Sequence, residues 1–211
     1  GLGLPWLLHS RWVRGYSRQF FFGRELSLLF IAVALLLLWL YSFAPVKLSY
    51  RGGGELLQML GVGIVLPLFG YYSQSGDVES FPWPLLLFIL PAQLACAMAT
   101  ALPDYPSDRA SSKRTMAVLI GPGRVQFSIV ILNALSITLF PFTVAGAGGG
   151  AGPAYYAALI PLVILAIMLF LIPRSEAGSS RLNLFVTLAV TSTVYLMAMS
   201  AFLLFYSVSI P

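Results

Sequence analysis

Long apolar runs, separated by short polar gaps, constrain this chain more than any other feature. The runs at 26–44, 56–72, 83–102, 125–145, 154–172 and 182–208 each approach or exceed the roughly 20 residues that a helix needs to cross a bilayer. None alternates apolar with polar residues as an outer-membrane strand does. Hydrocarbon offers no partner to an unpaired backbone group, so the open architecture is an all-α polytopic transmembrane helix bundle with six full spanning helices. Composition agrees: 59% of residues are hydrophobic and only 9% charged, against about 25% charged in soluble domains. A net charge of +5 does not point to nucleic acid, because the basic residues sit in the gaps and form no basic face. One cysteine, Cys96, inside an apolar run, and one histidine, His9, exclude a disulfide framework, a thiol or histidine metal cluster and any histidine-based triad.

Residues 2–8 are apolar but too short to span. The expectation is that 1–24 comprises the end of a truncated helix (an N-terminal stub) and a connecting segment, with the bundle occupying 25–211. Pro91 and Pro141 fall within runs and predict kinks. The glycine-rich stretch 146–152 reads as a flexible, solvent-exposed hairpin between helices. Lysines and arginines in the gaps after the first full run number two, none, four, none and two. That alternation places the loops at 45–55, 103–124 and 173–182 in the cytoplasm, for an integral protein of the bacterial inner membrane. Arg11, Arg14, Arg18 and Arg24 run against it, and the total favours this orientation by eight to four. Arg124 and Arg181 read as interfacial anchors.

Of seven acids, Asp77, Glu79 and Glu176 read as solvated loop residues, and Glu25 complements a helix dipole. Asp104 and Asp108 stand four apart in Pro103-Asp104-Tyr105-Pro106-Ser107-Asp108-Arg109, where an apolar run meets a basic loop. This spacing puts both carboxylates on one side of a helical turn, with Asp104 as N-cap and Pro106 in the first turn. Paired carboxylates are hard oxygen ligands suited to magnesium, which completes its shell with waters and substrate phosphates. Arg109, Lys113, Arg114 and Thr115 follow, and cations there suit phosphate oxygens. On its own, the pattern fits a charged loop under the positive-inside rule better than it fits a metal site.

A second loop shifts that balance. It reads Tyr41-Ser42-Phe43-Ala44-Pro45-Val46-Lys47-Leu48-Ser49-Tyr50-Arg51-Gly52-Gly53-Gly54-Glu55, and a helix later comes Tyr71-Tyr72-Ser73-Gln74-Ser75-Gly76. With Asp104-Tyr105, Asp108, Lys113-Arg114-Thr115 and Gly121, these elements resemble, in the same order, the UbiA superfamily of intramembrane aromatic prenyltransferases. The likeness covers about residues 26 to 211 and is greatest to the branch acting on 1,4-dihydroxy-2-naphthoate in menaquinone and phylloquinone synthesis. Two departures stand out. The family's first acid motif, of the form N-D-x-x-D-x-x-x-D, is not in this chain, which is therefore expected to be a fragment lacking upstream helices. Thr100 stands where the family usually has asparagine.

The resemblance implies a membrane enzyme that transfers a polyprenyl group from its diphosphate to an aromatic acceptor, with Mg2+ as cofactor and membrane lipid as surroundings. Asp104 and Asp108 would hold metal, and Lys47 would stabilise the diphosphate, with Arg109, Lys113 and Arg114 as helpers. Arg51 would also contact substrate. Tyr41 would either face the allylic cation through its ring or act as a packing aromatic. Glu55 is expected to pair with Arg51 structurally. Two competing readings stay open: a non-catalytic membrane subunit of the same fold, and a small-molecule transporter. A transporter needs ionisable groups at mid-membrane, where this chain offers little beyond Gln93, Asn133, Ser136, Thr138, Thr187 and Thr191.

Overall fold

The computed structural model of the protein describes residues 25–172 and 179–209. The helix stub, the arginines at 11–24, Arg174 and Glu176 lie outside the described residues. Among those described, every regular element is a helix.

The first helix, α1, is Leu26–Ser42. Ala44 precedes a proline, which disfavours helical backbone, and Phe43 is already extended with ψ at 148°. The next four are α2, Gly54–Ser75, and α3, Trp83–Ala101, then the short α4, Tyr105–Ala110, and α5, Met116–Ile120. The long α6, Pro122–Gly146, α7, Ala151–Leu171, and α8, Ser180–Ser209, complete the chain. Among the described residues five helices, α2, α3, α6, α7 and α8, are long and apolar enough to span a membrane. The sixth expected span is shorter: α1 has 17 residues, about 25 Å at 1.5 Å per residue, short of the ~30 Å hydrocarbon core.

Within α2 the turn Gly61–Val65 widens to a π-helix. It ends two residues before Pro67, whose ring would strike the carbonyl of Gly63 in a regular α-turn. Pro91 and Pro141, by contrast, lie inside helices that run on through them.

The core lies between α3, α6, α7 and α8, with the most extensive packing between α3 and α6. Phe88 and Phe140 meet there edge-to-face at 5.2 Å, both fully buried. Lipid removes the hydrophobic drive for helices to associate, which leaves dispersion and interhelical hydrogen bonds. The buried alanines 92, 95, 97 and 99 on α3 and 189 on α8 allow the backbones a close approach. Thr193 Oγ1 donates to the Ala92 carbonyl at 3.1 Å, tying α8 to α3. Gln93 Nε2 also reaches from α3 to Met197 Sδ on α8 at 2.8 Å, whereas Asn133 Nδ2 and Ser136 Oγ turn to their own helix, donating to Ile129 O at 3.0 Å and Leu132 O at 2.9 Å. Helix α2 packs on α3, whereas α1 touches mainly α2 and buries no residue.

Two loop expectations change. The 146–152 connection is tight: Gly149 is buried and donates to Val144 O at 2.8 Å, with Gly148 and Gly150 at positive φ on either side. A Cβ on Gly149 would lie 2.5 Å from Val144 Cγ1, so only glycine fits. Asp77 is more than a solvated charge, because its carboxylate accepts from the Glu79 and Ser80 backbone N–H groups and from Ser80 Oγ. The Ser80 hydroxyl bond and then the two backbone bonds hold its carboxyl below the usual range. Tyr71 Oη donates to Ser80 O at 3.0 Å across the same loop. Gly76, at φ 80°, closes α2 by donating to Tyr72 O at 2.8 Å.

The loops after α1 and after α3 lie at the same end of the bundle, joined by Arg114 N–H to Tyr50 O at 3.3 Å. The 76–82 loop lies at the other end, since α2 and α3 each span between them. Basic residues are concentrated at the first end, the end that the positive-inside rule expects to face the cytoplasm. A membrane-impermeant thiol reagent on intact cells should therefore label Ser75→Cys and spare Ser111→Cys, both in a Cys96→Ser background. Labelling at 111 but not at 75 would reverse the orientation.

Candidate active site

The residues singled out in the two loops converge at one end of α2 and α3. Tyr41, half-buried in the last turn of α1, accepts from Ser49 Oγ through its backbone carbonyl at 2.6 Å. The chain folds back after the helix and brings Gly52 against the 111–120 segment. Gly52 has φ of 94°, and a Cβ there would lie 2.7 Å from Leu119 Cδ1. A Cβ on Gly54 would lie 3.1 Å from Ser49 Cα and 3.2 Å from Tyr41 Cε2. Gly52 thus meets the facing loop and Gly54 packs within its own, roles that the sequence reading did not assign them.

Asp104 occupies the N-cap position of α4, as its spacing predicted, with Pro106 in the first turn; its side chain makes no capping hydrogen bond. Asp104 is exposed and Asp108 is buried. Asp108 Oδ1 pairs with Lys113 Nζ at 3.0 Å, while Asp108 Oδ2 is buried without a partner. Partial burial pulls the Lys113 ammonium down, but the hydrogen bond and charge of Asp108, with smaller contributions from Tyr41 and Asp104, leave it above the usual lysine range. The pair's contribution to stability is therefore complete below the ordinary lysine value and is lost as pH rises through the elevated one, so it persists at neutral pH.

A polar cavity of about 110 Å³ lies between the loops, lined by Tyr41, Ser49, Glu55, Gln58, Thr100, Asp104, Lys113 and Thr115 among others. Two apolar cavities adjoin it. One, about 310 Å³, shares Tyr41 and Gln58 and adds Leu37, Leu38 and Leu57. The next, about 340 Å³, shares Leu37 and runs between α1 and α2 past Phe30, Val62 and Phe69. Together they form a groove that leads from a polar head site to the apolar middle of the membrane.

Not every predicted residue lines this cavity: Asp108 meets it only through its partner Lys113. Lys47, in left-handed backbone at φ 44°, sets its ammonium 3.8 Å from the centre of the Tyr50 ring. Arg51 and Arg114 are exposed, and Arg109 donates from Nη1 to Tyr105 Oη at 3.2 Å, also at the surface. Glu55 does not pair with Arg51. It is 4% exposed, and its Oε1 accepts the Met116 backbone N–H at 2.8 Å. Gln58 and Ser49 were not anticipated; Gln58 sits one turn beyond Glu55 on α2 and was findable from helical spacing alone.

The donor set suits a hard cation. The described residues bring together no group of three or more histidine, cysteine, aspartate or glutamate side chains. One or two carboxylates suffice for magnesium when substrate phosphates complete the shell. Asp104 lines the cavity, and Asp108, beside the cavity-lining Lys113, has its Oδ2 buried without a partner; these are the two carboxylates that would hold the ion.

A carboxylate- and ammonium-lined cavity beside an apolar groove, at one end of a helix bundle, characterises an integral membrane protein. Residues 15–191 match the UbiA prenyltransferase family, and the chain belongs to it. Membership implies membrane prenyltransferase activity on prenyl diphosphate and aromatic substrates. No curated protein matches the chain, and no solved structure matches it.

Gly54 offers a direct check on the loop packing. Gly54→Ala places a methyl against Ser49 backbone and the Tyr41 ring, both of which line the cavity, and should cost about 1–3 kcal/mol in unfolding measurements in mixed micelles. Gly53→Ala, which meets only the flexible Leu48 side chain at 3.3–3.6 Å, should cost clearly less. Equal costs would mean that the Tyr41–Gly54–Ser49 contact is not formed.

Proposed function

We propose that the protein transfers a polyprenyl group from its diphosphate to an aromatic acceptor of the 1,4-dihydroxy-2-naphthoate type, in menaquinone or phylloquinone synthesis, at the cytoplasmic face of a bacterial inner membrane. The observation that carries this reading is the meeting of the 41–55 and 104–115 segments around one polar cavity that continues into an apolar groove. A polyprenyl diphosphate has the same polarity along its length: two phosphates at one end, hydrocarbon at the other.

In this reading, Asp104 and Asp108 hold magnesium. When bound, magnesium neutralises diphosphate oxygens and so eases departure of the leaving group. Lys113, already at the cavity beside Asp108, donates to the diphosphate as it takes up the electron pair of the breaking allylic C–O bond. Lys47 leaves the Tyr50 ring to add a second ammonium, and the exposed Arg51, Arg109 and Arg114 steer the anionic head toward the site. Tyr41 lines both the polar cavity and the first apolar one. Its ring therefore borders the point where positive charge develops on the allylic carbon, suited to a cation–π contact. The electron-rich acceptor ring then supplies the pair for the new C–C bond. Leu37, Phe30 and Phe69 along the groove accommodate the prenyl tail.

Asp104→Asn and Asp108→Asn should each lower transfer by at least about 10²–10³-fold, with insertion and helicity intact. The measurement is incorporation of a prenyl-labelled diphosphate into the naphthoate acceptor, in membranes with magnesium supplied and then chelated. Near-normal turnover in both variants, or indifference to chelation, would sink the assignment.

A further inference from the structure

Glu55 is a buried carboxylate that the reaction above does not use. It lies in the first turn of α2, yet its Oε1 reaches across to the Met116 backbone N–H, 61 residues on, at 2.8 Å. Met116 begins α5, and the first N–H groups of a helix have no partner within it. The residue that should cap them, Thr115, has the extended backbone of an N-cap but makes no side-chain cap bond, and its Oγ1 is buried without a partner. Glu55 thus does from another loop what the local cap leaves undone. Two residues earlier, the Arg114 N–H donates to Tyr50 O at 3.3 Å. The 114–116 segment is therefore pinned at both ends to the 50–55 loop, and the residues it fixes, Lys113 and Thr115, line the polar cavity.

We infer that Glu55 is a positioning residue: it latches the 111–120 segment to the loop after α1 and so holds Lys113 and Thr115 over the site that receives the anionic head of the substrate. The inference rests on the prenyl-transfer reading of that cavity. The latch needs only an acceptor oxygen at Oε1, not a charge. This separates it from a role in which the carboxylate takes a proton or touches the cation.

The test compares Glu55→Gln with Glu55→Ala in the protein reconstituted in lipid nanodiscs, by amide hydrogen exchange across 113–120 and by steady-state kinetics. Glu55→Gln keeps the acceptor and should retain both exchange protection and the KM for polyprenyl diphosphate within about twofold. Glu55→Ala should lose protection across 113–120 and raise that KM roughly tenfold, with kcat changed far less. Should Glu55→Ala fail to insert, Glu55→Asp, which withdraws the oxygen by one methylene, takes its place with the same expectation. An inactive Glu55→Gln with protection intact would overturn the inference and make the carboxylate a direct participant. Unchanged exchange in Glu55→Ala would overturn it equally. Exchange is read without turnover, so a wild type that transfers no prenyl group would refute the proposed function and leave the latch separately measured.

Discussion

Hydrocarbon supplies no hydrogen-bond partner, and the layout of this protein follows from that. Each backbone N–H and C=O within the membrane must be paired by its own segment, which makes the spanning elements helices. The same medium makes an ionised side chain costly at depth. Among the described residues the charged acids and bases accordingly stand at helix ends and in loops, and polar side chains inside helices turn back to nearby carbonyls, as at Asn133, Ser136, Thr138 and Thr187, or reach a neighbouring helix, as at Gln93 and Thr193. Chemistry that needs charge is confined to the ends of the bundle, and the substrate must bring its charged head to one of them.

The loops at that end are held by contacts that lipid cannot weaken. Gly52 lets one loop approach the other to a distance that a side chain would forbid, and Gly54 lets its own loop close on Ser49 and Tyr41. Glu55 and the Tyr50 carbonyl then supply two acceptors to the facing backbone. The result is a wall on which Lys113 is fixed beside Asp108 while Asp108 Oδ2 remains free. Under the proposed function this combination suits exchange: the ammonium that neutralises the buried carboxylate also lines the cavity proposed to receive phosphate. Below the loops, α1 buries none of its residues and only borders α2, which leaves the apolar groove between the two helices.

The helices were legible in the chain because apolar length is a local property, and their ends fell within a few residues of the expected ones. The exceptions have particular causes. Helix α1 stops at Ser42 because Pro45 acts back on Ala44, and α2 widens ahead of Pro67. The glycine-rich connection at 146–152 suggested flexibility, since composition cannot report that Gly149 packs on Val144. At the site, Asp104 took the predicted N-cap position. Arg51, Arg109 and Arg114 were candidates by charge and by the resemblance of their loops, and neither says which way a long side chain leaves a loop.

From the sequence alone came the solvent, the helices, the end of the bundle that carries the basic loops, and the pair of loops that bear the motifs. All of these depend on residue type and spacing along the chain. Only the tertiary structure decided that the two loops touch, that Glu55 pairs with the Met116 backbone in place of Arg51, and that Lys113 rather than Lys47 faces the cavity. Those outcomes turn on distances between residues some sixty positions apart, and such distances are set by how α3 packs between α2 and α6, which no local pattern records.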